Sequence, residues 1–169
     1  MMDLATFMAV AVACAPLADP ATSRAVVATE SAFNPNAIGV VGGALERQPR
    51  SRPEALATAR MLRAQGWNYS LGLAQINARN LARLGLDVET AFEPCANLEA
   101  MQTVLLECFE RAMPRRTSAQ RALRAALSCY YSGNFVTGVH DGYVHRVVSA
   151  SRAAPPAPPP LHHPAKEPS

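Results

Sequence analysis

Aromatic residues make up only 6% of this chain and charged residues only 17%. The first shortage argues against a β-sandwich, whose core is filled by aromatic and β-branched side chains. Abundant alanine points instead to small helices packed closely together. The second shortage, with a net charge of +3, excludes a highly charged disordered chain and a strongly basic nucleic-acid binder. No run approaches the ~20 consecutive apolar residues of a membrane-spanning helix. The longest candidate, Leu4 to Ala15, is too short and contains Thr6. No CxxC pair occurs, and His140, His145, His162 and His163 lie outside zinc-finger spacing, so neither a metal nor a cofactor is expected. What is present suffices for one domain: 169 residues, of which 49% are hydrophobic.

Four cysteines remain, at positions 14, 95, 108 and 129. Either they form two disulfides, in one of three connectivities, or they are four buried thiols acting as small apolar residues. Disulfides would imply an oxidising compartment such as the bacterial periplasm. The N-terminus also has two readings. Leu4 to Ala15 supplies an apolar stretch, and Ala13-Cys14-Ala15 resembles a small-residue cleavage site, but Met1-Met2-Asp3 lacks the basic residues of a secretory signal. A first helix of the domain, ending at Pro16, is the preferred reading. The export signal is then missing from this chain, or the chain leaves by another route.

Punctuation divides the rest into helices. Asp19-Pro20 caps and opens one that runs to about Phe33, where Asn34-Pro35 stops it. Pro53 opens another and Gly66 closes it. Asn77 caps a short helix ending at Gly85. From about Ala96 to Ala112, Leu98, Met101, Leu105, Cys108 and Phe109 recur at helical spacing. Thr117 and Gln120 match a capping box before Leu123, Ala126, Leu127 and Tyr130. A last helix follows Asp141. Only Ala37 to Val41 reads as extended, and at most a small hairpin fits there. The expected fold is mainly α, with six or seven helices in a domain over residues 1–152. Residues 153–169 hold seven of the fourteen prolines and read as a proline-rich, disordered tail. Arg111, Arg115, Arg116, Arg121 and Arg124 form a basic cluster, read as a solvated helix face.

Glu30 is the residue with most chemical content. It lies four residues after Val26, three after Val27 and three before Phe33, on one helix face. A carboxylate among apolar neighbours is costly when charged, so its pKa should rise until it holds a proton near neutrality. That makes a general acid. An ion-paired surface glutamate would show the same spacing.

Four short motifs stand in order along the chain: Glu30-Ser31-Ala32-Phe33-Asn34-Pro35-Asn36-Ala37, Ser70-Leu71-Gly72-Leu73-Ala74-Gln75, Cys129-Tyr130-Tyr131-Ser132-Gly133-Asn134, and Tyr143-Val144. Together they resemble lytic transglycosylases with the soluble, goose-type lysozyme-like fold. Ala37-Ile38-Gly39-Val40, Gly66-Trp67-Asn68 and Phe92-Glu93-Pro94-Cys95-Ala96-Asn97-Leu98 add a likeness to the specialised transglycosylases of type IV secretion and conjugation machines. The resemblance implies a peptidoglycan glycan strand as substrate and Glu30 as the catalytic acid. It also implies a periplasmic location, and secretion-system subunits as possible partners. Ser31 either hydrogen-bonds near Glu30 or caps the helix end. Ser70, Gly72, Leu73 and Gln75 match the second motif; there Gly72 would let the sugar approach the backbone and Gln75 would offer its amide to an acetamido group. Tyr130 either lines the groove or fills the core, and Tyr143 either bonds near Glu30 or is a core tyrosine. Tyr131 stands where the broader family often has asparagine, and Asn134 is the candidate replacement amide. Competing expectations are a lysozyme-like hydrolase and a non-catalytic wall- or partner-binding module.

Overall fold

The computed structural model describes residues 1–115 and 118–153. The proline-rich stretch beyond Ala153, Arg116 and the Thr117 half of the expected capping box lie outside the described residues. Seven α-helices are present among those described: α1 (Leu4–Cys14), α2 (Pro20–Ser31), α3 (Arg52–Ala64), α4 (Pro94–Ala112), α5 (Ala119–Ser132), α6 (Thr137–His140) and α7 (Tyr143–Arg152). None is long and apolar enough to cross a membrane. Short 3-10 turns at Ala78–Asn80 and Ala82–Leu84 replace the single helix expected between Asn77 and Gly85.

The helices begin where local chemistry starts them. Asp19 accepts the Thr22 N–H and Ser51 the Glu54 N–H, each with a proline in the first turn that follows. α5 is capped by Ser118, which accepts the Arg121 N–H. α2 stops at Ser31, short of the expected Phe33, because Ala32 and Phe33 both turn left-handed, with φ of 49° and 61°. Two successive non-glycine residues in that region carry strain. They are held there by α1: Phe7 packs edge-on against Phe33 with ring centroids 5.0 Å apart, and the Met2 N–H donates to the Phe33 carbonyl.

The expectation of at most a hairpin near Ala37–Val41 is corrected. β1 (Ile38–Val40), β2 (Tyr69–Leu71) and β3 (Ile76–Asn77) form an antiparallel sheet in the order β1-β2-β3. Val40 pairs with Tyr69, and Ser70 with Asn77. Strands of two and three residues are too short to show alternation, and β1 finds its partner beyond the whole of α3. The outer edge of β1 is closed by the Gln48 amide, which both accepts from and donates to Ile38.

α4 is the central helix. It buries Leu98, Met101, Leu105 and Cys108 and packs on α1 and α5. α2 packs on α7, and the two run antiparallel. Arg24 donates to the carbonyls of Ala150, Ser151 and Ala153 at one end, while Glu30 meets Tyr143 at the other. α1 belongs to this core, with Phe7 and Ala11 buried and Cys14 bonded to Cys95 at the start of α4. The second disulfide, Cys108–Cys129, joins α4 to α5. All four cysteines are therefore paired.

A crosslink over a sequence separation of 81 residues restricts the unfolded chain strongly. Replacing Cys14 and Cys95 together by serine should lower stability by about 2–4 kcal/mol. Urea midpoints of the two proteins check this. An unchanged midpoint would show that α1 is anchored by packing alone.

Candidate active site

A cleft of about 280 Å³ opens between the sheet and the helical layer. Gly39, Val40, Val41, Ser70, Gln75, Asn77 and Asn80 line one side, and Glu30, Val104, Tyr130 and Tyr131 the other. Glu30 supplies the only carboxylate among the described residues that line it. Its position follows from α2: the apolar face of Val26 and Val27 is buried, so the next turn carries Glu30 to the edge of the core, half-buried.

The Tyr143 hydroxyl donates to Glu30 Oε1 at 2.6 Å. Burial pushes the Glu30 carboxyl up; the Tyr143 hydrogen bond and the more distant Arg146 guanidinium pull it back, leaving it at about 7. Both neighbouring tyrosines, Tyr130 and Tyr143, are raised above the ordinary phenol value by burial and by the charge of Glu30, so each stays a neutral donor. Tyr131 stacks on Tyr143, with ring centroids 4.7 Å apart and planes within 17°. Tyr131 thus braces the ring that holds the acid.

Gln75 enters the cleft in a different way from that expected. It too is left-handed, at φ 52°, and its Nε2 donates to the carbonyls of Ala37 and Gly72. Both amide protons are spent on the protein, so only Oε1 is left to meet a ligand, as an acceptor. Gly39 makes room for that oxygen, since a Cβ there would lie 2.6 Å from it. The Ser70 hydroxyl faces the cleft and accepts weakly from Asn77 Nδ2, at 3.4 Å.

Four expected site residues are elsewhere. Gly72 faces the interior: at φ 78°, a Cβ would come within 2.4 Å of Asn97 Nδ2 and 2.7 Å of the Ala91 carbonyl, so the glycine admits a buried amide rather than a sugar. Leu73 is fully buried in the core and does not line the cleft. Ser31 donates to the Val27 carbonyl one turn back along α2, a bond of the helix end and not of Glu30. Asn134 caps α6: its Oδ1 accepts from the backbone of Val136 and Thr137, and its Nδ2 donates to the Thr137 hydroxyl. It does not line the cleft, and its Oδ1 is taken up by those two backbone N–H groups.

Sequence reasoning assigned no role to Asn97, which holds the floor of the cleft. It is fully buried in α4; its Nδ2 donates to the carbonyls of Leu71 and Ala91, and its Oδ1 accepts the Ala74 N–H. The Ala74 carbonyl in turn accepts the Tyr130 hydroxyl at 2.6 Å. A polar residue amid the buried positions of α4 was the available signal. Val104 and Asn80 carried none. The other acids of the middle of the chain are engaged outside the cleft: Glu93 pairs with Arg52, Glu89 with Arg60, and Asp87 accepts from Thr90.

A family model described as the transglycosylase SLT domain matches residues 8–137. The type IV secretion system protein virB1 of Brucella suis is 47% identical over 151 residues, covering 86% of this chain and 63% of that protein. Protein virB1 of Rhizobium radiobacter is 34% identical over 158 residues, covering 92% and 65%, and that of Agrobacterium fabrum 31% over 153 residues, covering 89% and 61%. The chain spans just under two thirds of the length of these relatives. No solved structure matches it.

Two outcomes follow from this geometry. Asn97→Ala leaves two buried carbonyls and one N–H without partners, and should cost about 3 kcal/mol in chemical denaturation; a loss under about 1 kcal/mol would mean that the floor does not depend on Asn97. The folded pKa of Glu30 lies above its ordinary value of 4.5. Its protonation therefore favours the fold fully below about 4.5, and that contribution is lost as pH rises through about 7. Relative to Glu30→Gln, the parent should lose up to about 3 kcal/mol across that window and then run parallel to it. Denaturation midpoints at a series of pH values test this, and parallel curves throughout would refute a raised pKa.

Proposed function

The chain belongs to the transglycosylase SLT domain family, with its mainly α, lysozyme-like fold, and from that premise we propose that it cleaves the MurNAc–GlcNAc bond of peptidoglycan with formation of a 1,6-anhydro sugar. The observation that carries this reading is the single carboxyl of the cleft, poised near neutrality and held by Tyr143.

The chemistry follows from having one acid. Protonated Glu30 gives its proton to the bridging oxygen as the C1–O bond breaks. Ordinary glycosidases stabilise the resulting positive charge, or activate water, with a second carboxylate. Among the described residues the cleft provides none, so the substrate's own acetamido group takes the first role. Glu30, now charged, accepts the proton of the sugar's 6-hydroxyl, whose oxygen bonds to C1 and closes the anhydro ring. The acid ends each cycle as it began, without consuming water. The two halves have different supports: burial favours the acid before the first transfer, and the Tyr143 hydroxyl stabilises the carboxylate after it. Gln75 Oε1 and the Ser70 hydroxyl are the groups that would orient an acetamido N–H and ring hydroxyls.

Relatives named for type IV secretion support a role in opening the wall locally for such an apparatus. Two disulfides support an oxidising location, the periplasm.

Digestion of purified peptidoglycan should release fragments with anhydro ends, read by mass spectrometry. Glu30→Gln should stay folded and lose about a thousandfold in rate. The rate of the parent should fall above about pH 7 as the acid ionises. Reducing-end fragments without any anhydro product would overturn the reading in favour of hydrolysis.

A further inference from the structure

Beyond the cleft lies a second and larger cavity, of about 460 Å³. The two share a wall. Ser70, Asn77 and Asn80 line the cleft, while Tyr69, Ala78 and Arg79, their immediate neighbours in the chain, line the second cavity. The end of β1 joins them, since Val41 lines the cleft and donates its N–H to the Asn68 carbonyl.

Trp67 stands at the rim. It is 47% exposed, yet it is firmly placed. α3 ends in a Schellman motif: Gly66 is left-handed at φ 76°, its N–H donates to the Arg63 carbonyl, and the Trp67 N–H donates to the Leu62 carbonyl. The indole rests on Gly43, where a Cβ would sit 3.6 Å from the ring. A large ring fixed in solvent is a preformed platform, since little side-chain freedom remains to be lost on binding.

The charges beside it are unbalanced. Of the acids lining the cavity, Glu89 is paired with Arg60, and Asp87 accepts the Thr90 N–H and hydroxyl, both at 2.7 Å. Arg63 and Arg79 are exposed and have no carboxylate partner among the described residues. Asn68 lines the same cavity, and its Oδ1 is buried with no hydrogen-bond donor. The cavity thus offers two guanidinium groups for carboxylates, one acceptor for an N–H, and a flat apolar face. A phosphodiester would use the arginines but, having no proton to donate, give the asparagine oxygen nothing. An acidic peptide uses all three.

We infer that this cavity, walled by Trp67, Asn68, Arg63 and Arg79, binds the carboxylate-bearing stem peptide of the wall strand whose sugars occupy the cleft. The inference rests on the proposed substrate and extends it from the glycan to the peptide. Cleavage would then favour strands that still carry their peptides.

Trp67 is the only tryptophan of the chain, so its emission reports this site alone. In Glu30→Gln, a disaccharide bearing the stem peptide should change that emission saturably, and salt should weaken the effect. The same glycan stripped of peptide should leave it unchanged. Arg63→Gln with Arg79→Gln should weaken peptide binding about tenfold or more. On whole wall the pair should raise KM and leave kcat unchanged; on stripped strands both should stay the same. Equal responses to stripped and intact fragments, or full affinity in the double variant, would overturn the site. Because binding is scored in Glu30→Gln, it is independent of bond cleavage. A saturating titration with a chain that cleaves nothing would support the site, whereas cleavage with a silent tryptophan would overturn it.

Discussion

The hydrogen bond from Tyr143 to Glu30 closes a sequence separation of 113 residues in 2.6 Å, and much of the architecture serves to keep it closed. It requires the last turn of α2 to face the first turn of α7, and so fixes the two helices as an antiparallel pair. Arg24 closes the far end of that pair on three carbonyls of the last helix. Tyr131 lies flat on the Tyr143 ring, and the phenol cannot rotate away without losing the stack. Local strain is concentrated nearby. Ala32, Phe33 and Gln75, the non-glycine residues described with positive φ, sit directly after the acid and across the cleft from it. Unfavourable backbone of this kind persists only where surrounding packing over-determines it.

The cleft divides its labour by polarity. One wall, from α2, α5 and α7, carries the titratable groups: a carboxyl destabilised as an anion by burial, hydrogen-bonded by a neutral phenol, and flanked by a second one. The other, from the sheet and the turn after β2, offers fixed acceptors and is set from below by Asn97. That buried amide satisfies backbone groups on three segments at once. Through Ala74 and the Tyr130 hydroxyl it ties the two walls together. The ion pairs of Arg52 with Glu93 and of Arg60 with Glu89 lie outside the cleft, on α3 and the loop before α4.

Much of this was legible beforehand, for physical reasons. Helical spacing placed Glu30 on an apolar face, caps and prolines marked the helices, and the ordered motifs led to Tyr143 and Gln75. What could not be read was direction and partnership. Gly72 signals a left-handed turn, but whether its open side faces a ligand or the core depends on Asn97, which lies 25 residues further on. Gln75 promised an amide with free donors, yet backbone carbonyls claim both. Asn134 could not be told from a ligand-binding amide because it caps a helix of four residues that leaves no periodic trace. Leu73 shared a motif with cleft residues but points the other way. The sheet escaped because its strands are shorter than the period that would reveal them. The four cysteines were compatible with three pairings, and only the tertiary fold selects among them.

The opening helix has an unexpected status. Its composition imitates a disposable leader, but Phe7 wedges against the strained Phe33, Met2 bonds the same residue, and Cys14 is tethered to α4. A cut after Ala15 would therefore remove the brace behind the turn that follows Glu30, along with half of a covalent tie. Residues whose composition resembles an address label are thus wedged into the packed interior and stapled to its central helix.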